Sequence, residues 1–585
     1  MSRLIDWWKR DKRYLTMVKA VLMALLPVLC CLVYCAMQGR SIAEVYLPGS
    51  EWNDELFYYK QVEGIVNFGY PQGYFGFDES HALKLSFAAW SPVLVFPWIL
   101  WGMVFGWNMM SPVICNILLM TLACFLFVWL VKPDWKQVGI TSLLFCLYTP
   151  FVRYMLSVMP EVICFSLLII FYSLAVNYLN RERAYKLAVL FVLSGLLTLM
   201  RPYMLLFMLL PAYFWIRRNR WKGFIGSAVV FAVVLAVYAA IKHYLGAEYF
   251  APLFFTDWVD AFFEQGLFGG IRYTLGKLYY MASSFKAHTI QGFRTGLASG
   301  AFFAGYLIML LVMLGQSVKD FGSLRRLKGK TAVQGKEGKR KEAQKEEVRN
   351  AAQESGSGWN KAEADRQESE RTEEDVQASV KDQVCMGALR KQLTIEVHFV
   401  ISLVAMLFAL LLMYKLTEGS KHLLTFMAAG VFVIGMSETK FFKKAVVTGA
   451  AFAYFYSYMA LDPYDYQVPF AEEERVAQVE TWREALADTM VLDRETVPGY
   501  ENSVIWVLWD QGPETAENVK WQLLYALPKG FGISCCGKEY VVEHFAELQS
   551  RYIATLAGGE VDAGCREAGY MELNRDEDMA LYQVY

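Results

Sequence analysis

The sequence predicts a polytopic α-helical membrane protein of about eleven transmembrane helices, with a small extracytoplasmic α/β domain at its C-terminal end. Three observations predict it. The 585 residues are 56% hydrophobic and only 19% charged, a balance suited to a chain whose solvent is mostly lipid. Apolar stretches of about 17 to 25 residues recur, the length that crosses a hydrocarbon core of roughly 30 Å. Lipid cannot satisfy a free backbone amide, so these stretches must be helices. When they are counted in order, the basic connectors all fall on one side of the membrane.

Arg3, Lys9, Arg10, Lys12 and Arg13 precede the first apolar run, Leu15 to Met37. That run is too long for a secretory signal core, so it reads as an uncleaved anchor with a cytoplasmic N-terminus. The first outer loop, residues 38–108, is acid-rich (Glu44, Glu51, Asp54, Glu55, Glu63, Asp78, Glu79), which the positive-inside rule permits outside. Near its end Pro92 to Gly106, punctuated by Pro97 and Gly102, amounts to roughly 22 Å of helix, short of a full crossing. It is therefore expected to be a re-entrant or interfacial helix.

With that helix not counted as a span, Met109 to Val131 runs inward to Lys132 and Lys136, and Val138 to Pro150 runs outward. Pro160 to Leu179 then leads in to Arg181, Arg183 and Lys186, and Leu187 to Met200 leads out. Tyr203 to Ile216 returns to Arg217, Arg218, Arg220 and Lys222, and Gly223 to Tyr244 exits again. Counting Pro92 to Gly106 as a span would place all these basic clusters outside.

Residues 1–317 thus form a first transmembrane module, whose last span, Leu297 to Gly315, enters the cytoplasm. Residues 318–393 are dense in Lys, Glu, Gln, Ala, Gly and Ser with mixed charge, and are expected to be a disordered or loosely helical cytoplasmic tether. Three further spans occupy 394–461: Thr394 to Tyr414, Lys421 to Gly435 and Ala445 to Leu461, with Lys440, Lys443 and Lys444 inside. The soluble domain, 462–585, reads as a helix over Glu472 to Thr489, a strand over Ser503 to Trp509 and a strand over Ala580 to Val584. The expected location is the cell membrane, with this domain outside.

A net charge of −1 excludes the broad basic surface of a nucleic-acid binder. Of the 11 cysteines, most lie in apolar runs as core side chains, and none has zinc-site spacing. Cys535, Cys536 and Cys565 fall in the outer domain, where a disulfide to Cys565 is an option in an oxidising compartment.

Basic residues on the outer side run against the charge rule, so those found there carry a functional question. Arg153 lies between two spans in Pro150-Phe-Val-Arg-Tyr, and Arg201 lies in Met200-Arg-Pro-Tyr, where two short segments meet at a proline. Segments of about 14 residues do not both reach the outer surface, which puts Arg201 below it, in a protein-lined or wet cavity. A charge at that depth is a functional candidate; the structural alternative is a snorkelling arginine paired with Glu161. In the first outer loop Asp54 and Glu55, followed by Tyr58, offer a partly desolvated carboxylate suited to general-base work or to holding a metal. Adjacent carboxylates point in different directions, so one of the two is expected to serve the site, and a helix-start pair favoured by the dipole explains them equally. Lys84 could touch a phosphate, and His81 lies beside it, although a solvated loop accounts for both, as it does for His288 and Arg294 further on.

In order and placement these features resemble the GT-C superfamily of membrane glycosyltransferases, which includes protein O-mannosyltransferases and the lipid A aminoarabinose transferase. An acidic pair follows the first span (Asp54, Glu55), a short Pro-containing helix closes the first loop (Ser91-Pro-Val-Leu), and Pro160-Glu161 opens a span at its outer end. A basic residue marks a break in the sixth-span region (Arg201-Pro202), and a soluble domain follows the last span. The resemblance covers roughly the first 250 residues at motif level and the rest in layout. The loop helix reads Trp-Ser-Pro where many relatives have His-Pro-Pro, and the charged insertion is not a general family feature. Trp509-Asp-Gln-Gly512 resembles the Trp-Trp-Asp motif of oligosaccharyltransferases with Leu508 in place of the first Trp, and reads as a strand ending in a turn.

The resemblance implies inverting transfer of a sugar from a polyprenyl-phosphate donor to an extracytoplasmic glycan, lipid or protein. Asp54 would take the acceptor's proton, with Glu55 beside it. Arg201, Arg153 and Lys84 would hold the donor phosphate, supported by Glu161, Tyr58 and His81. Whether Mg or Mn assists is open, since loop carboxylates could hold a divalent ion. A transporter or flippase for a lipid-linked sugar is the competing class, because broken helices and buried charges also build transport sites; the matching interrupted segments in two halves that such a protein shows are missing. A non-enzymatic scaffold would tolerate substitution of Asp54 and Arg201.

Overall fold

The computed structural model describes residues 12–50, 52–69, 76–79, 92–245, 255–295, 303–329, 361–413, 420–437, 443–452, 468–495, 499–510 and 521–585. The first apolar run forms α1 (Lys12–Met37). Two 3-10 turns then lead to α2 (Asn53–Phe68), with Asp54 and Glu55 in the first turn, where the helix dipole favours negative charge. α2 ends at Gly69, whose φ of 81° is the left-handed conformation that favours glycine. The strand β1 (Gly76–Phe77) follows, then a 3-10 turn (Pro92–Val95) and α3 (Phe96–Phe105). Turn and helix together rise about 23 Å, which keeps them short of a crossing, as expected. α3 packs directly on α2: a Cβ at Gly102 would stand 2.6 Å from a Val66 methyl, so only glycine allows this approach.

Next come α4 (Ser111–Val131), α5 (Trp135–Leu147), α6 (Pro150–Met155), α7 (Glu161–Asn180), α8 (Ala184–Met200), α9 (Leu209–Asn219) and α10 (Trp221–Leu245). α7 is the hub of the bundle. Protein buries 78% of its apolar stretch against 6% for α10, so α7 is surrounded by helices and α10 presents its side chains outward. Pro202 sets the break between α8 and α9. Proline drives the residue before it out of helical conformation, and Arg201 accordingly sits at φ −146°, ψ 116°, ahead of a 3-10 stretch, Pro202–Met208.

After α10 come α11 (Asp257–Glu264) and α12 (Gly266–Thr295). Over 318–393, expected to be disordered or loosely helical, the described residues at both ends are helical. α13 (Phe303–Gly329) runs on past Asp320, and α14 (Lys361–Met413) carries the insertion's second half into the next span as a single 53-residue helix, about 80 Å long. The reason is local: Lys, Glu, Gln and Ala are good helix formers, and a helix already nucleated in an apolar span propagates through them. α15 (Ser420–Met436) and α16 (443–452) complete the helical part. Among the described residues six helices have the length and composition to cross a membrane: α1, α4, α7, α10, α13 and the Val384–Met413 part of α14. The chain is therefore built as a multi-pass membrane protein. The other expected crossings correspond to the shorter α5, α8, α9, α15 and α16, and part of the last expected span lies outside the described residues.

The C-terminal region holds α17 (Glu473–Thr489), β2 (Ser503–Leu508), β3 (Gly532–Gly537), α18 (Lys538–Glu543), β4 (Tyr552–Leu556), α19 (Glu560–Glu567), β5 (Met571–Arg575) and β6 (Met579–Gln583). They form one six-stranded sheet in the order β1-β3-β2-β4-β6-β5. β2 is buried along its whole length, as a central parallel strand rich in Val, Ile and Trp should be. The expected strand ending in a turn at Trp509-Asp510 is present, and Asp510 caps α19 by accepting from the Val561 amide at 3.3 Å. Cys535, Cys536 and Cys565 are free, buried core side chains.

This sheet is not an appendage beginning at residue 462. Its β1 edge comes from the segment between α1 and α4, with Gly76 and Phe77 opposite Ser534 and Cys535. Glu79 completes the joint by accepting from the amides of Gln549 at 3.1 Å and Ser550 at 2.5 Å. Asp78 and Glu79 both take positive φ, 54° and 58°, an unfavourable conformation for non-glycine residues that these bonds offset.

Candidate functional site

The N-terminal turn of α2 and the hairpin between α6 and α7 meet around two buried ion pairs. In the first, Arg153 Nη2 donates to Glu55 Oε1 at 3.0 Å, the arginine 3% and the glutamate 0% exposed. Glu55 Oε1 also accepts from Ser50 Oγ at 3.0 Å, and its Oε2 accepts from the Val158 amide at 3.2 Å. Burial pushes the Glu55 carboxyl pKa up, opposed by the Arg153 charge and by these hydrogen bonds. The guanidinium lies 3.7 Å from the Trp52 ring centre, a cation–π contact. Its Nε and Nη1 are buried with no hydrogen-bond partner among the described residues.

The hairpin itself is pinned by Asn116 of α4, whose amide donates to Ser157 O at 2.8 Å while its carbonyl accepts from Trp98 Nε1 at 2.7 Å. α3, α4 and the hairpin are thereby locked together, which fixes Arg153 and Glu161 at the same end of the bundle.

In the second pair Arg201 Nη2 donates to Glu161 Oε1. Arg201 is 1% exposed, so it is a buried arginine rather than one that snorkels to the surface. Its Nη1 lies 2.7 Å from His422 Nδ1, and Tyr203 OH lies 3.3 Å from the same nitrogen. A guanidinium only donates, so Nδ1 must accept, which assigns the imidazole proton to Nε2. The proline break places this arrangement: it turns Arg201 out of α8 toward Glu161 at the start of α7 and His422 at the start of α15.

The two pairs are linked through α2. Asp54 and Tyr58 are one helical turn apart and share a face, and the Tyr58 hydroxyl lies within electrostatic reach of Arg201. Glu55 is rotated by about 100° from Asp54 and points to Arg153 instead. The adjacent carboxylates are thus divided: Glu55 is enclosed by donors, while Asp54 is half-buried and shares the helix face of Tyr58.

Compared with known proteins, the chain matches no family model, no curated protein and no solved structure. Geometry and chemistry alone therefore carry the functional reading.

Of the residues singled out in the sequence, Glu55 pairs with Arg153 and Glu161 with Arg201, Tyr58 lies near Arg201, and Asp54 lies one turn before Tyr58 on α2. His81 and Lys84 lie outside the described residues. His288 and Arg294 fall on α12, in a different part of the chain. Among the described residues no group of three or more His, Cys, Asp or Glu side chains is placed to hold a metal ion, and Glu55, Glu79 and Glu161 already face cationic or N–H donors. No step below uses a metal.

Three contributors were missed in the sequence. His422 sits 221 positions from Arg201, and its only signal was a histidine at the start of an apolar helix. Trp52 stands beside the acidic pair, and nothing local announced its stacking on Arg153. Glu79 read as one more loop acid, whereas it joins the loop to the sheet.

Proposed function

We propose that this protein is a membrane glycosyltransferase that transfers a sugar, with inversion, from a polyprenyl-phosphate donor to an acceptor outside the cytoplasm. One observation carries the reading: a buried guanidinium, Arg153, held by Glu55 in the first turn of α2, keeps two N–H groups without a partner among the described residues. Buried charged donors left unpaired are costly, and an anionic oxygen of a ligand satisfies them best.

In this reading the donor's isoprenoid lies in lipid and its phosphodiester sits between Arg153 and Arg201. Glu55 and Glu161 neutralise the arginines and fix their direction, so the donors are aimed before substrate arrives. An acceptor hydroxyl oxygen attacks the anomeric carbon, the bond from that carbon to the phosphate oxygen breaks, and Asp54 takes the hydroxyl proton. The departing lipid phosphate gains a negative charge as it leaves, and guanidinium hydrogen bonds in a low-dielectric site favour it more than they favour the diester. Glu55 is assigned to positioning Arg153, because its oxygens are already occupied by donors.

The test is transfer of labelled sugar from a polyprenyl-phosphate hexose or pentose by purified protein in detergent, where no sealed membrane exists to support transport. Transfer is expected from the wild type and is expected to fall below detection in Asp54→Asn with unchanged thermal stability. Full activity of that variant removes Asp54 from the mechanism, and uptake into vesicles without transfer in detergent would identify a transporter.

A further inference from the structure

The hairpin α11–α12 has no part in the site above, yet its surface is unusual for a segment outside the bundle. The 30 residues of α12 carry four basic side chains (Arg272, Lys277, Lys286, Arg294) and no acidic one, in a chain of net charge −1. Leu267, Phe268, Ile271, Leu275 and Tyr279 fall on one arc of that helix at helical spacing. All five are exposed, Phe268 at 86% and Tyr279 at 78%. Arg272 borders the arc and Lys286 lies beyond its end, both exposed. An apolar arc with aromatic and basic flanks is the composition of a helix that lies in a bilayer interface.

Two contacts fix where this arc sits. The Phe255 amide, just before α11, donates to the carbonyl of Met413, the last residue of the span in α14, at 2.8 Å. The Phe285 ring on α12 lies 4.6 Å from that of Phe303, the first residue of the span in α13. The hairpin is thus tied at both its ends to the ends of membrane-spanning helices. Its own two helices are held to each other by Asp257, which pairs with Lys277 and accepts from Tyr273 OH at 2.7 Å. The preceding span, α10, buries only 6% of its apolar stretch in protein.

We propose that α11–α12 is an interfacial anchor that lies in the bilayer leaflet from which α13 and α14 emerge. The arc from Leu267 to Tyr279 inserts among acyl chains, and Arg272 and Lys286 bind the phosphate of anionic lipid headgroups. The proposal rests on the membrane-spanning helices and is independent of glycosyl transfer.

The test places a photoreactive phenylalanine analogue at Phe268 of the full chain or, as control, at Met571 on the far sheet edge, 63% exposed. The protein is reconstituted in phosphatidylcholine vesicles containing phosphatidylglycerol, irradiated, and its adducts are weighed. Lipid adducts at Phe268 are expected at roughly tenfold or more the yield at Met571. Equal yields, or crosslinks from Phe268 to a second copy of the chain in place of lipid, overturn the anchor. In the Arg272→Gln/Lys286→Gln variant the preference for phosphatidylglycerol over phosphatidylcholine adducts is expected to disappear while the total adduct yield persists. A preserved preference overturns the headgroup assignment, and an unchanged melting temperature shows that the variant is folded.

Discussion

Glu55 and Arg153, 98 positions apart in the chain, form an ion pair with almost no solvent exposure on either side. The pair joins the start of α2 to the hairpin that opens α7, and Glu161 and Arg201 add a second buried pair at the start of α7. Desolvating four ionisable groups is expensive, and well-packed apolar residues would serve stability as well or better. In the proposed function a ligand phosphate accounts for their presence.

Breaking the first pair exposes its energetics. Arg153→Gln leaves Glu55 buried without its counter-charge and is expected to destabilise the protein by about 3–5 kcal/mol. Adding Glu55→Gln to it should recover about 1–3 kcal/mol, because neighbouring sites couple. Chemical unfolding of the two single variants and the double variant in detergent measures this, and strictly additive losses would show that the pair is not coupled.

The joint between loop and sheet rests on Glu79. Glu79→Ala removes the acceptor of the Gln549 and Ser550 amides and is expected to cost about 1–3 kcal/mol locally. Hydrogen exchange reads it directly: the amides of Gln549, Ser550 and β3 should lose protection together. Protection unchanged at all of them would mean that the sheet holds the loop without Glu79.

His422 acts on Arg201 as a neutral acceptor. His422→Leu removes a hydrogen bond to a charged group, worth about 1.5–3 kcal/mol, and is expected to slow transfer by roughly ten- to a hundredfold. His422→Asn, which keeps an acceptor near that position, should lose less. Equal activity of the two variants would show that the acceptor does not matter.

Acid sensitivity of the sheet region follows from Asp562, whose carboxylate accepts from Arg575 at 2.6 Å, Tyr582 OH at 2.5 Å and the Gly558 amide at 2.7 Å. Burial acts to raise its pKa, and the hydrogen bonds from Arg575, Tyr582 and Arg566 outweigh it, so the net shift is downward from 3.8. The stability this group contributes is present above its unfolded value and is lost as pH falls below that value toward the folded one. Unfolding followed from pH 5 to pH 2 should show a steeper loss of stability in wild type than in Asp562→Asn, with parallel curves contradicting the assignment.

Much of this architecture was legible in the sequence because its causes are local. Apolar run length marked the spans, Pro202 marked the break that turns Arg201 out of α8, and the two-proline, glycine-punctuated run after residue 91 marked a helix too short to cross. The adjacent acids of α2 were legible as a divided pair because helical geometry separates neighbours by about 100°. Long-range pairing was not legible. No local pattern tells Gly76 and Phe77 to join β3 more than 450 residues later, or His422 to meet Arg201. The polar composition of the insertion left disorder and loose helix both open, and its described second half is a helix continuous with the neighbouring span.

Carrier binding tests the central claim most directly, that the two carboxylate-held arginines, Arg153 and Arg201, receive a lipid phosphate. Native mass spectrometry of the purified protein with decaprenyl phosphate should show one carrier retained by the wild type. Arg153→Gln and Arg201→Gln should each lose it while still melting cooperatively. Retention of the carrier by both folded variants, at the wild-type level, would contradict the account.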